Sequence, residues 1–396
     1  MSATEAVFRN YTQTQQRVPQ GAWVLLRVMA LGVAGGVAWL LLVRPHEGLP
    51  LFWRVIVPSL PLLFALAPGI WRNVCPMAFL NQLPRALGVS LGWTLPAPLR
   101  VWCYAVSTAA FIVLVGLRAP LLDHRGDLVA AMVAAALVLA LVGGLLFKGR
   151  SGWCGTFCPL APIQKVHGQA PIAIVPNGYC PTCVGCQKNC YDFNPRAAIF
   201  SDLYDRDERH AGQRRFFVAM LPGLILAYYT LAGTSWNPPA LYYVVFGLLV
   251  LISAGLFQLI VNFMKVSVYK VATGFGLAAL VEFYFFAGPG IVRHAATLSG
   301  FTVPEWTGHA VQALALVVGG GVLARALSAE GAYTRTVSSA QQLRVPEKAR
   351  LGERAAASGA PEVTERSSGR VFVLAPEQTL LEGLEAADIR IDFGCR

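Results

Sequence analysis

Residues 127–161 read DLVAAMVAAALVLALVGGLLFKGRSGWCGTFCPLA, and the order of the parts decides the fold. The apolar run 127–147 holds about 20 residues, enough to cross roughly 30 Å of hydrocarbon as a helix. It stops at Lys148 and Arg150, a basic edge that keeps a loop on the cytoplasmic side. Directly behind that edge come Cys154 and Cys158, spaced C-x3-C, and Pro159 follows the second. A thiol pair at the inner edge of a membrane span is the theme on which the rest of the chain is read.

Working outward, similar runs lie near 21–43, 49–70, 101–118, 215–233, 241–263, 270–291 and 308–327, which makes eight with 127–147. The expected fold is an all-α polytopic membrane protein of about eight transmembrane helices. A polar segment, 1–20, precedes them and lacks the pattern of a cleaved signal, so the first run is expected to stay as an anchor. Composition agrees: 55% of the 396 residues are hydrophobic and 13% charged, more apolar surface than a soluble core can hide. The formal charge of +11 lies mainly in loops 71–100, 148–214 and 264–270 and in the tail after 327, while 44–48, 119–126, 234–240 and 292–307 hold few Lys or Arg. That alternation is topology control with attraction to anionic lipid, and it argues against nucleic acid as partner. It also places both termini in the cytoplasm, as an even number of spans requires. The units are then 21–147 (four spans and a Cys-Pro turn), 148–214 (a cytoplasmic cysteine loop) and 215–327 (four more spans), followed by a linker, 328–368, and a tail, 369–396.

An internal repeat supports this division. Trp71-Arg-Asn-Val-Cys75-Pro76-Met77-Ala78 follows the second span as Cys154-Gly-Thr-Phe-Cys158-Pro159-Leu160-Ala161 follows the fourth. Each copy is a membrane hairpin ending in a Cys-Pro-apolar-Ala turn.

Six of the nine cysteines sit in the one loop: Cys154, Cys158, Cys180, Cys183, Cys186 and Cys190. The cytosol is reducing, so a thiol cluster there points to metal and not to disulfides. Cys180-Pro-Thr-Cys183-Val-Gly-Cys186-Gln-Lys-Asn-Cys190 has the C-x2-C-x2-C-x3-C spacing of a 4Fe-4S site, with small or turn-forming residues between the ligands that let backbone N–H groups approach the sulfurs. Zinc is the alternative for four thiolates, but its sites usually separate two C-x2-C pairs by many residues. For Cys75, Cys154 and Cys158 two readings stand: ligands of a further centre, or turns in which proline starts a helix after a membrane exit. Cys103, inside the third span, reads as a packing residue.

The paired hairpins, Cys-Pro turns and cysteine motif together resemble the polyferredoxin-like membrane iron–sulfur proteins. These include the quinol-oxidising iron–sulfur membrane subunit of periplasmic nitrate reduction and the membrane half of the nitrous-oxide reductase regulators. The similarity covers mainly residues 50–195, with three departures: Trp71 stands where the family has a first cysteine, one ferredoxin motif replaces two, and Tyr191 follows Cys190 in place of proline. The resemblance implies a bacterial inner-membrane protein that passes electrons between the quinone pool or a ferredoxin or flavoprotein reductase and a redox partner, with a subunit of a quinol-linked oxidoreductase as one form of it. The second reading is a redox-sensing regulator or metalloenzyme assembly factor carrying the same cluster, and proline-broken spans such as Val57–Pro68 leave a transporter as a third. In the tail, Val371–Leu374 reads as a strand and Thr379–Ala387 as a helical turn, and the stretch up to Cys395 resembles the start of a plant-type 2Fe-2S ferredoxin as far as its first ligand. A longer parent chain is expected to complete that motif.

Within the spans no histidine pair sits at membrane depth, so no haem is expected; His46, His124, His294 and His309 share the external side, where solvated loop positions are the plainer account. Glu282 is the one carboxylate well inside a span. An ionisable group there is costly, and a carboxylate beside a quinol ring would accept its proton; pairing with Arg27, Arg54 or Gln258 is the structural alternative.

Overall fold

Apolar runs that must satisfy every backbone N–H and C=O without water coil into helices. The computed structural model describes residues 18–147, 153–176, 191, 195–204, 208–232, 239–324, 327, 362–364 and 371–374, and helices make up most of them. Seven are long and apolar enough to cross a membrane: Gln20–Val43, Pro45–Leu66, Pro98–Gly116, Gly126–Leu146, Ala240–Phe263, Val268–Thr297 and Trp306–Ala324. The chain is a multi-pass membrane protein. Side chains such as Leu25, Trp39, Ile252 and Val317 point outward, more than half exposed, where only lipid can solvate them.

Several elements divide these spans. After α1 (Gln20–Val43), the second span consists of α2 (Pro45–Leu51), a π-helical turn (Phe52–Ile56) and α3 (Val57–Leu66). Short helices α4 (Pro68–Val74) and α5 (Pro76–Ala86) then lead to α6 (Ala97–Gly116), a second π-helical turn (Arg118–Leu122) and α7 (Gly126–Leu146). The second half holds α8 (Leu160–His167), α9 (Pro195–Leu203), α10 (Glu208–Leu231), α11 (Ala240–Phe263) and α12 (Val268–Leu298), with α13 (Trp306–Ala324) last. The run read as 49–70 ends early, at Leu66, because Ala67 precedes a proline and takes φ −153°, ψ 74°, outside the helical region.

The eighth run, 215–233, is helical as α10 but differs in kind from the seven. It opens with Arg214 and Arg215, and Phe217 through Leu221, Leu224 and Ala227 are all buried by protein, chiefly by α11 and α12. Close approach there depends on Gly223, where a Cβ would stand 2.3 Å from the Leu249 carbonyl oxygen. In the first half α7 packs on α1 and α5, and a Cβ at Gly144 would meet the Asn81 carbonyl oxygen at 2.1 Å. Both contacts let helix backbones touch without intervening side chains.

Toward the C-terminus, β1 (Glu362–Thr364) pairs antiparallel with β2 (Val371–Val373), Val363 facing Phe372. The strand read at 371–374 is therefore present, and its partner lies in the tract read as linker. Apolar Val363, alternating with Glu362 and Thr364, is the signal that the polar composition of 328–368 obscured. The helical turn at 379–387 and Cys395 lie outside the described residues.

Candidate metal centre

Both Cys-Pro turns lie at one end of the bundle, where α3 and α7 finish. Cys75 has extended backbone (φ −54°, ψ 120°) and caps α5, whose first residue is Pro76. Cys158 closes a tight turn in which the Trp153 carbonyl accepts the N–H groups of Thr156 (3.2 Å), Phe157 (3.0 Å) and Cys158 (3.1 Å), and α8 begins two residues on. In each copy the proline has no N–H to give, and the next two residues supply the donors. Met77 and Ala78 point theirs at the Cys75 sulfur, Leu160 and Ala161 theirs at the Cys158 sulfur. The sequence repeat is thus a geometric one, with each sulfur held by two amides at a helix N-terminus, which favours negative charge on sulfur.

Of the two thiols, Cys75 feels the charge of Cys158. Burial pushes Cys75 up to about 12, and the neighbouring Cys158 charge adds to the push against the two amides. Burial raises Cys158 too. Both are therefore neutral thiols at pH 7 until something replaces their protons. A third sulfur is close: the Cys75 S–H donates to Met77 Sδ at 4.0 Å. Cys154, on the turn that ends at Cys158, is half-buried, and among the described residues no three of His, Cys, Asp or Glu converge as a metal-binding group.

Cys180, Cys183, Cys186 and Cys190 lie outside the described residues, but Tyr191, bonded directly to Cys190, does not. Its ring is buried, with Lys165 Nζ 4.3 Å and the Arg72 guanidinium 5.0 Å from its centroid. Its hydroxyl donates to Asp202 of α9, which also pairs with Lys165 (3.0 Å) and Arg214 (3.5 Å). Burial would raise Asp202, but the charges of Lys165 and Arg214 outweigh it and hold the carboxyl down at about 2. The same burial lifts the Tyr191 phenol well above its ordinary range and lowers Lys165. Arg72 stands one helical turn before Cys75, and Lys165 lies on the helix that follows Cys158. Tyr191, the residue after the cysteine motif, therefore contacts side chains that neighbour each Cys-Pro turn in sequence. The tyrosine that departs from the family's proline is the visible signal; Lys165, Arg72 and Asp202 read in sequence only as loop charge.

His167, at the end of α8, is buried, and its Nδ1 has no hydrogen-bond partner among the described residues. Desolvation depresses it from 6.5 to about 4, so the folded protein holds it neutral while the unfolded chain protonates it first. A depressed value means stability is complete above pH 6.5 and is lost as the pH falls toward 4. Thermal unfolding in detergent between those limits is expected to lose about 3 kcal/mol, and His167→Phe is expected to flatten that slope. An unchanged slope in the variant would remove His167 from the account.

The opposite end of the bundle holds an aromatic cage. Arg118, in the second π-helical turn, stacks between Trp53 of the first (4.3 Å to its ring centroid) and Tyr228 of α10 (4.4 Å). Its Nε pairs with Asp123 at 3.0 Å, and the Tyr228 hydroxyl donates to the same carboxylate at 2.8 Å. Glu282 lies deeper, on α12, half-buried, with Oε2 enclosed and lacking a hydrogen-bond partner. Tyr229 stacks on Phe286 (5.2 Å) and meets Phe283 (6.3 Å), the rings flanking that carboxylate in sequence. None of the three partners weighed for Glu282 takes it: Arg27 donates to the Asn73 carbonyl at 2.7 Å, and Arg54 and Gln258 are exposed. His46 lies exposed beside Glu47, 3.5 Å away.

Comparison with protein-family models, with curated proteins and with solved structures finds no match to this chain.

Proposed function

We propose that the chain is a membrane-bound iron–sulfur electron carrier, polyferredoxin-like, whose 4Fe-4S cluster is held by Cys180, Cys183, Cys186 and Cys190 at the cytoplasmic face of a bacterial inner membrane. The observation that supports this reading is the C-x2-C-x2-C-x3-C spacing of Cys180–Cys190, with Tyr191, the residue that follows it, buried against cationic Lys165 and Arg72. The donor set fits an iron–sulfur cluster: four thiols at C-x2-C-x2-C-x3-C spacing with small or turn-forming residues between them. Such a cluster supplies one-electron transfer. The chain does the rest: the hydrogen bond from Tyr191 to Asp202 holds that tyrosine in place, and Lys165 and Arg72 lower the energy of negative charge near it.

Electrons enter from quinol or a cytosolic reductant and leave to a redox partner protein. With quinol as donor, Glu282 is the group placed to take a ring proton, because its buried oxygen has no other partner. The test is an anaerobic redox titration of the purified protein with an iron and sulfide count. About four irons and a reduced-cluster EPR signal that develops with quinol are expected. Zinc in place of iron would end the reading, and a cluster inert to quinol and NAD(P)H would shift it to the regulatory or assembly role.

A further inference from the structure

Residues 87–96, which join α5 to α6, form a strap alongside the last turn of α7. Gly88 (φ 72°) and Gly92 (φ 66°) take left-handed conformations that let the chain turn before and after Val89, Ser90 and Leu91. The Ser90 hydroxyl donates to the Gly144 carbonyl (2.9 Å), and the N–H groups of Leu91 and Trp93 donate to the carbonyls of Leu145 (2.7 Å) and Leu146 (2.9 Å). The strap thus satisfies acceptors that a helix leaves open at its C-terminus, and it lies where the spanning helix Gly126–Leu146 stops.

What the strap shows to its surroundings is apolar. Leu87, Val89, Leu91 and Trp93, at alternate positions, are each more than half exposed, which makes a patch and not the scattered single residues of an ordinary surface. Charge at the same place is of one sign. Arg85, just ahead of the strap, is exposed and forms no ion pair among the described residues, and no Asp or Glu occurs between Glu47 and Asp123. We propose that the strap is a docking surface for an anionic phospholipid, with the lipid phosphate at Arg85 and the glycerol and upper acyl region against Leu87, Val89, Leu91 and Trp93.

Lipid is the occupant for two reasons. The patch continues the lipid-facing surface of the spans, since the strap leads into α6, where Leu99 and Trp102 are again exposed. Tryptophan at the end of a span is the side chain that sits at headgroup level. The second reason is the charge of Arg85, which calls for an anion that this stretch of chain does not supply. A planar guanidinium meets phosphate through two parallel N–H bonds, and one cation at an anionic leaflet amounts to about a fivefold preference.

The experiment uses the full chain reconstituted into phosphatidylcholine vesicles that carry equal mole fractions of either brominated phosphatidylglycerol or brominated phosphatidylcholine. Emission from Trp93 is read as the difference between the parent and Trp93→Phe. Bromine is expected to quench it, with phosphatidylglycerol associating about fivefold more tightly than phosphatidylcholine. Arg85→Gln is expected to remove that preference and keep the quenching by phosphatidylcholine. Arg44→Gln, an exposed arginine at the other end of the bundle, is expected to leave the preference intact. Equal association of the two lipids with the parent would overturn the site, and so would an equal loss of preference in both arginine variants, which would mean that net charge alone acts. Trp93 emission quenched by aqueous acrylamide and not by bromine would place the strap in water. Protection from both quenchers, with a doubled particle mass, would assign the patch to a second copy of the chain. None of these outcomes depends on the iron–sulfur cluster, so the electron-carrier reading stands or falls separately.

Discussion

Replacing Cys183 by serine is expected to remove the visible absorption of the purified protein and about four irons per chain, because a cubane cluster bound through closely spaced thiolates does not survive loss of a central one. Cys103→Ser supplies the contrast. That thiol is buried in α6 and acts as a small packing residue outside the C-x2-C-x2-C-x3-C motif, so iron and colour should stay. Iron analysis of the two variants side by side decides the matter. Equal iron in both would mean that residues 180–190 hold no cluster, and the electron-transfer reading would fall with it.

The second large effect belongs to Arg118. Its guanidinium lies between the faces of Trp53 and Tyr228, and its side chain is 15% exposed against 26% for its partner Asp123. Alanine would delete two cation–π contacts and leave a largely desolvated carboxylate facing only the Tyr228 hydroxyl. The expected loss is about 3 kcal/mol, since removing one partner strands the other charge. Lysine should recover little of it, because a compact ammonium cannot stack between two rings as a planar guanidinium does. Thermal unfolding of the detergent-solubilised variants reads this directly. A melting temperature for Arg118→Ala equal to the parent's would show that the cage is not a structural clamp.

How much of this was legible beforehand follows from the physics of each signal. Span existence rests on about 20 contiguous apolar residues, a pattern that little else produces, and the seven spanning helices fall on runs read that way. Their ends moved where proline acts locally, as at Ala67. The Cys-Pro repeat was legible as a string, because proline and cysteine are both rare and positional. That the charge of Cys158 reaches Cys75 was not, since an effect across 83 residues is a tertiary fact that leaves no periodic trace. Lys165, Arg72 and Asp202 were hidden for a different reason. Their charges were counted toward topology, a reading that presumes solvent, whereas Lys165 and Arg72 lie against a buried tyrosine ring. Arg118 looked like the polar end of a span, and only the π-helical turns show what it grips.

The enclosure of α10 bears on how the chain is made. A nascent helix with two arginines, Arg214 and Arg215, ahead of its apolar run, and which owes its shelter to neighbours, offers the translocation machinery a weak case for release into lipid by itself. Its covering helices, α11 and α12, are synthesised afterwards. α10 therefore gains its shelter only after α11 and α12 have been made, so the burial of this helix is a late event in the synthesis of the chain.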